Sequence, residues 1–354
     1  MIQPFFSVII PIYNRVDLFG DTLQSVINQE YEHWELILVD DGSNQENISA
    51  VKDLIKGIPN TQWVARPKNM PKSASSCRNY GASLAKGTFF IFLDSDDILS
   101  PNALKVRAKQ INNAKARSIH LFPSFTFSNQ DHKPDHIWNV LEKKNRPNIN
   151  RFFDGDIPWH TSGTTWPREI FQSINGFYGE ALSAQDWEIH IRLLLENNIE
   201  LVYHEDHVKY WHHGVRRDNQ PSIVSGFNKP DRILNRLETF GRIVAEVVHQ
   251  KRVTRDLEGS IIASTYRTAL SAKKAGLDSA GTELIIRTCN ALKLGFFASK
   301  ALVTIYRDPQ HNIRYRLIRM FFSKKYNLAD LRFKQNATLC RLPWKDFKET
   351  MSNA

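Results

Sequence analysis

The chain has 354 residues, 42% apolar and 24% charged, which is ordinary for a globular protein and enough for one large domain or two smaller ones. Its three cysteines, Cys77, Cys289 and Cys340, are odd in number and lack CxxC spacing. This argues against a disulfide framework and suits reduced thiols in a cytosolic compartment. No run of about 18 apolar residues occurs, so no membrane-spanning segment is expected. The formal charge of +10 is unevenly placed: residues 230–354 hold 23 Lys or Arg against 11 Asp or Glu, and the other 229 residues hold 24 against 26. Such an asymmetry points to two modules with different partners.

The opening run "FFSVIIPIY" has no basic residue before it and is broken by Pro11, so it reads as a first strand and not as a signal peptide. Phe19, Leu23, Val26 and Ile27 then recur at helical spacing. "WELILVDDGS" and "TQWVAR" read as the second and third strands, "SASSCRNYGASLAKG" as a helix whose small residues allow close approach to a sheet or ligand, and "TFFIFLDSDD" as the fourth strand. Ser100 as N-cap and Pro101 at the first position predict a helix through "PNALKVRAKQINNAK". "SIHLFPSFTFS" reads as a strand and 130–158 as loop-rich. A helix through "QDWEIHIRLLLENN", with Trp187, Ile191, Leu194 and Leu195 as its buried stripe, precedes the strand "IELVYHEDHVKYWHH". From about residue 230 the pattern is helical, in "RILNRLETFGRIVAEVVHQ", "EGSIIASTYRTALSAKKAG" and "AGTELIIRTCNALKLGFFASKALVTIY". Apolar strands alternating with helices predict an α/β fold with a mostly parallel sheet covered on both faces, whose ligands sit at the carboxyl ends of the strands.

Both acidic clusters, Asp40-Asp41 and Asp94 to Asp97, fall at such ends. Two carboxylates about 4 Å apart repel by about 4 kcal/mol at an effective dielectric near 20, so a positive partner is required. Hard oxygen ligands at D-x-D suit Mg²⁺ or Mn²⁺, which bridge carboxylates to substrate phosphates. The alternative is a solvated loop in which Asp96 or Asp97 caps the next helix.

"FSVIIPIYNR", "LILVDDGS", "SCRNYGASLAKGTFFIFLDSDD" and "INGFYGEALSAQDWEIHIRLL" together resemble family 2 glycosyltransferases, inverting enzymes of the GT-A fold. The resemblance covers about residues 5–215 and implies a GT-A-type, mostly parallel twisted sheet over 1–225, with a nucleotide-sugar-binding half to about 117 and an acceptor half over 118–225. A mainly helical, basic region over 226–354 follows it. By resemblance Pro11, Tyr13 and Asn14 line the base and ribose of a nucleotide-sugar and Asp40 accepts from the base, while Arg78 lies near base and phosphates. Asp94 faces the ribose and Asp96 ligates Mn²⁺ or Mg²⁺, which stabilises the departing nucleoside diphosphate. Ordinary strand packing for Tyr13, a turn role for Asp40 and a surface setting for Arg78 are the plain alternatives.

The family's E-D motif appears here as Gln185-Asp186-Trp187-Glu188, with Gln in place of the usual Glu. The resemblance makes Asp186 the base for the acceptor hydroxyl, with Gln185 and Trp187 beside donor or acceptor. Ser183-Ala184-Gln185-Asp186 also fits a capping box, in which the carboxylate would reach back to its own N-cap. "TSGTTWP" places Ser162 and Gly163 near the donor sugar by resemblance, and His213 occupies the place of the family's Y-x-x-H, which in some members reaches the metal or diphosphate. "HEDH" at 204–207 is not expected to bind zinc, because strand alternation sends His204 and Asp206 one way and Glu205 and His207 the other.

In the basic third, Arg314, Arg316, Arg319, Lys324 and Lys325 surround Ile318, Phe321 and Phe322. This pattern suits docking on an anionic membrane surface; a solvated helical bundle is the plain alternative, and no nucleic-acid module accompanies the charge. The expectation is a cytoplasmic enzyme, peripheral on the inner face of the membrane, which moves a hexosyl or N-acetylhexosaminyl group from a UDP-type donor to a cell-surface glycan or lipid-linked acceptor. A nucleotidyltransferase is the first competitor, disfavoured by the missing Gly-rich phosphate loop after the first strand. A non-catalytic membrane-docking protein is the second, disfavoured by intact Asp96 and Asp186.

Overall fold

The computed structural model describes residues 5–111, 117–126, 136–138, 146–204, 212–214, 229–250, 253–307 and 342–343, with 212–214 and 342–343 described as backbone only. Its first half alternates as read: β1 (Phe6–Ile12), α1 (Val16–Ile27), β2 (Trp34–Asp40), α2 (Gln45–Leu54), β3 (Thr61–Ala65), α3 (Ala74–Leu84) and β4 (Phe89–Phe92). Then follow β5 (Asp97–Leu99), α4 (Ala103–Ile111), β6 (Ser118–Leu121), β7 (Phe125–Thr126), β8 (His136–Ile137) and α5 (Asn148–Asp154). A single 3-10 turn over Thr161–Gly163 leads into β9 (Thr164–Pro167), α6 (Arg168–Ser173), α7 (Gln185–Leu195), β10 (Glu200–Tyr203) and β11 (His212–Gly214). Four helices, α8 (Pro230–His249), α9 (Arg255–Lys274), α10 (Asp278–Ala291) and α11 (Phe296–Arg307), precede the short β12 (Leu342–Pro343).

Seven strands form one sheet in the order β10-β6-β9-β4-β1-β2-β3. Neighbours pair in parallel except β9, which runs antiparallel to β4 and β6. β1 and β2 are apolar and almost wholly buried because helices cover both faces. Val8, Ile10, Leu36 and Leu38 face one core with Phe19, Leu23 and Leu104, while Ile9, Ile37 and Val39 face the other with Cys77, Phe92 and Trp166. Period-2 alternation thus divides each central strand between two cores. The second of these cores runs on into Ile233, Leu237, Phe240 and Val244 of α8, so the helical region packs directly on the sheet domain.

Several elements differ from the sequence reading: "SIHLFPSFTFS" is two strands, β6 and β7, in separate sheets, and α5 lies within the stretch read as loop-rich. The helix expected from Pro101 begins at Ala103, after a turn over Pro101 and Asn102 in which the Ala103 N–H donates to the Ser100 carbonyl at 3.0 Å; just before it Asp97–Leu99 pairs antiparallel with β11. The segment "AGTELIIRTCNALKLGFFASKALVTIY" is two helices, broken where Lys293 (φ +54°) and Gly295 (φ +81°) adopt left-handed backbone. The basic stretch around Arg314 to Lys325 lies outside the described residues. No helix among the described residues is long and apolar enough to cross a membrane.

Candidate active site

Parallel strands end on one side of a sheet, and here the carboxyl ends of β1, β2 and β4 border a cavity of about 490 Å³. Its walls include Pro11, Tyr13, Asn14, Arg15, Asp41, Lys72, Arg78, Asp94, Asp96, Gln185 and Arg232. Residues read from five separate segments of the sequence therefore meet in one hollow.

The β1 and β2 ends hold each other in place. Asn14 takes left-handed backbone (φ +48°), its N–H donates to Ser43 Oγ at 3.0 Å, and its Oδ1 accepts from the Asn44 N–H at 2.9 Å. Asp40 Oδ2 accepts from the N–H groups of Gly42 (2.9 Å) and Ser43 (3.0 Å), and Gly42 supplies the positive φ of +88° that this turn requires. One Asp40 oxygen is thus committed to the turn, and Asp41 is the member of the pair that lines the cavity. Tyr13 is 47% exposed at the mouth, with Lys72 Nζ 3.9 Å from its ring centre.

Arg78 is buried on α3, whose N-cap Ser73 accepts from the Ser76 N–H at 3.0 Å. Its Nη2 donates to Asp94 Oδ1 and its Nη1 to Gln185 Oε1 at 2.7 Å, with the guanidinium 5.2 Å over the Phe177 ring. Burial works against this charge, and Asp94 and Asp186 outweigh it. The surface setting weighed for Arg78 is excluded.

The four-residue acid loop sorts its members. Asp96 Oδ2 lies 3.8 Å from Arg15 Nη1, and burial followed by the Asp94 charge raises its pKa. Asp97 is buried at the start of β5; its Oδ2 has no hydrogen-bond partner and lies 3.7 Å from His160 Nδ1. Burial, Asp94, Asp96 and Asp186 all push the Asp97 carboxyl well above the usual range. Asp94, Asp97 and His160 each offer a ligand atom, all within 4.8 Å of one another. An orphaned buried carboxylate oxygen beside another carboxylate and an imidazole fits a divalent cation. The geometry therefore gathers Asp94, Asp97 and His160, where the sequence pointed to Asp96 and His213. His213 pairs through its backbone with Ile98 in the β11–β5 ladder, next to this loop in register, and its side chain lies outside the described residues.

At α7 the capping box does not form. The N-cap is Ala184 in left-handed backbone (φ +58°) with no side-chain cap, and the buried Ser183 Oγ has no hydrogen-bond partner. Asp186 is half-buried; burial raises its pKa, but the Arg78 and His160 charges dominate and leave it below the ordinary carboxylate range. Gln185 reaches the cavity, also donating from Nε2 to the Ala181 carbonyl at 2.9 Å.

Three expected contacts have a different setting. Trp187 Nε1 donates to the Phe152 carbonyl at 2.9 Å and its ring stacks on Phe240 at 5.3 Å, so it ties α7 to α5 and α8. Ser162 is buried with its Oγ 2.8 Å from His160 Nδ1. A Cβ on Gly163 would meet the Phe122 carbonyl oxygen at 2.5 Å, so that glycine serves close backbone packing. None of the three lines the cavity. His204, from "HEDH", pairs with His120 (Nδ1 to Nε2, 2.9 Å), and burial lowers both pKa values to about 4.

Arg232, Lys72 and His160 escaped the sequence reading. Arg232 reaches the cavity from α8, donating to the Leu182 carbonyl at 3.3 Å, and it belongs to the region that the motifs did not cover. His160 stands directly before "TSG", with no spacing signal to mark it.

Residues 7–174 match the profile of glycosyl transferase family 2; α7 with Asp186 lies beyond the matched part. An uncharacterised glycosyltransferase of Haemophilus influenzae is 35% identical over 112 residues, 32% of this chain and 43% of that protein. A GalNAc(5)-diNAcBac-PP-undecaprenol beta-1,3-glucosyltransferase of Campylobacter jejuni is 32% identical over 120 residues, 34% and 38% of the two chains. The match thus spans less than half of either relative. The crystal structure of S. aureus TarS 1-349 with UDP-GlcNAc superposes with a TM-score of 0.63 over 93% of each chain, at 17% identity. The fold is therefore that of the GT-A glycosyltransferases.

Proposed function

We propose that this chain, whose residues 7–174 belong to glycosyl transferase family 2, transfers a sugar from a nucleoside-diphosphate donor, UDP first among the candidates, to a hydroxyl of a lipid-linked or cell-surface glycan. The observation that carries the reading is the buried Arg78 fork, which joins the acid loop at Asp94 to the first turn of α7 at Gln185. That link brings Asp94, Asp96 and Gln185 onto one cavity, with Asp186 next to Gln185 in the first turn of α7 but not itself in the cavity lining; a diphosphate leaving group and an attacking hydroxyl would meet there.

In this reading Tyr13, Asn14 and Asp41 receive the nucleoside at the mouth, and Arg78 and Arg15 hold the position of the phosphates with permanent positive charge. Asp94, Asp97 and His160 would hold Mn²⁺ or Mg²⁺, which supplies Lewis-acid stabilisation of the negative charge that grows on the diphosphate. Asp186 stays ionised at neutral pH and accepts the acceptor's proton. As that oxygen bonds to the anomeric carbon, the bond to the diphosphate oxygen breaks, and a single displacement inverts the configuration. The undecaprenol-linked substrate in one relative's name and the UDP-GlcNAc held by TarS support the choice of acceptor and donor class. A site of action on the inner face of the cell membrane accords with such an acceptor.

The test is a hydrolysis screen across nucleotide-sugars, followed by Asp186→Asn on the active donor. Transfer should fall by at least 100-fold, with UDP affinity held within about threefold. Unchanged turnover in the variant removes Asp186 from the chemistry.

A further inference from the structure

α11 opens on Phe296 and Phe297, which are 73% and 86% exposed with ring centroids 5.9 Å apart. The remainder of the helix is anchored: Leu302, Ile305 and Tyr306 are buried in a small core with Ile262, Tyr266 and Ile285. The left-handed residues Lys293 and Gly295 end α10 and turn the chain, so the aromatic pair stands at the corner between two packed helices. Among the described residues, two adjacent aromatics exposed to this degree on a fixed corner form an uncovered patch.

The chain on either side of the pair is basic, between Glu283 on α10 and Asp308. From Leu284 to Arg307 the chain carries Arg287, Lys293, Lys300 and Arg307 and no acidic residue. Arg287 is paired with Glu238 at 3.1 Å. Lys293 and Lys300 are exposed, form no ion pair among the described residues, and flank the two rings, with Lys300 Nζ 5.8 Å from the centre of Phe296. We infer that this corner docks on an anionic membrane, with Phe296 and Phe297 inserted among the lipid headgroups and Lys293 and Lys300 on the lipid phosphates. A two-fold contact between copies through the same corner would bring these cations against each other, whereas an anionic bilayer offers both an apolar layer and opposite charge. The inference deepens the transferase reading and rests on it for its purpose, since a lipid-linked acceptor is presented at such a surface.

The experiment is co-sedimentation of the full chain with vesicles of phosphatidylglycerol mixed with phosphatidylcholine, and with phosphatidylcholine alone. The chain should sediment with the anionic vesicles and weakly with the neutral ones. F296S/F297S should lower vesicle affinity by about tenfold or more. K293E/K300E should lower it by roughly fivefold or more per cation and flatten its salt dependence. Calorimetry with UDP should give the same affinity for both variants as for the parent. Equal vesicle binding by F296S/F297S, or no preference for anionic vesicles, overturns the inference. So does a parent dimer that F296S/F297S converts to monomer without vesicle binding. Absent UDP binding with intact vesicle docking would instead count against the transferase reading alone.

Discussion

Arg78 donates to Gln185 Oε1 at 2.7 Å while its other terminal nitrogen holds Asp94, so one guanidinium joins α3, the loop after β4 and the start of α7. A neutral Gln at this place leaves the Arg78 charge to the Asp94 and Asp186 carboxylates. Arg78→Lys keeps the charge but cannot span both partners, because an ammonium lacks the planar fork. Hydrogen bonds to charged groups contribute about 1.5–3 kcal/mol each, so UDP affinity should drop about tenfold or more. Calorimetric titration of the variant checks this, and parent-like affinity would show that the link is dispensable.

The unpartnered Asp97 oxygen beside His160 sets a second expectation. His160→Ala and Asp97→Asn should each weaken Mn²⁺ binding by about 10- to 100-fold, and chelation should lower transfer by the parent. Titration followed by the relaxation of water protons reads Mn²⁺ directly, without need of the donor sugar. If Asp96→Asn alone weakens binding and these two variants do not, the ligand set given by the geometry is wrong.

His190 is fully buried, with Nε2 3.1 Å from Thr164 Oγ1 and its ring stacked on Trp166, and burial lowers its pKa from 6.5 to about 4. The folded state keeps it neutral, and the unfolded chain protonates it below about 6.5. Between those values the unfolded state binds the extra proton. Stability should therefore fall as pH drops through the window, by as much as about 3 kcal/mol from this group. Thermal melts at pH 7.5 and pH 5 read the slope, and His190→Phe, which keeps a ring at the stack, should reduce it, leaving the part that buried His120 and His204 contribute in the same window.

Gly81 lies where α3 crosses the sheet: a Cβ there would sit 2.5 Å from Ile9 Cγ2 and 3.2 Å from Val39 Cγ2. Overpacking of this kind costs about 1–3 kcal/mol. Gly81→Ala should lower the denaturation midpoint, and Gly81→Val should lower it further. A variant as stable as the parent would mean that α3 can move off the sheet without loss.

Much of the fold was legible from local pattern. The runs "FSVIIPI" and "WELILVD" are mostly apolar because both faces of a central parallel strand are buried; Ser7 and Glu35 are the buried polar exceptions, bonded to each other at 2.6 Å, and Asp40 ends the second run. "SASSCRNYGASL" announced a close-packed helix because only small side chains fit between α3 and Ile9. The acidic clusters at Asp40-Asp41 and Asp94 to Asp97 stood out for another reason, while Asp186 was marked by family resemblance alone. Acids at strand ends are costly without a partner, so their clustering carries chemical information.

Local pattern failed where a residue's role depends on a distant segment. Ser100-Pro101 is a valid helix-start signal, and no local signal marks the strand just before it, because Asp97–Leu99 is a strand only through its pairing with the distant β11. Ser183 and Asp186 fit a capping box, and the left-handed Ala184 denies it. The surroundings of the acids of "DSDD" are likewise set by packing: Arg15 stands near Asp96, while burial leaves Asp97 Oδ2 unpartnered near His160. Composition and spacing therefore determined the sheet, its covered faces and the edge where charge collects. Which carboxylate meets which cation was decided only by the tertiary structure, because side-chain pairing depends on separations of a few ångströms between segments that the sequence holds far apart.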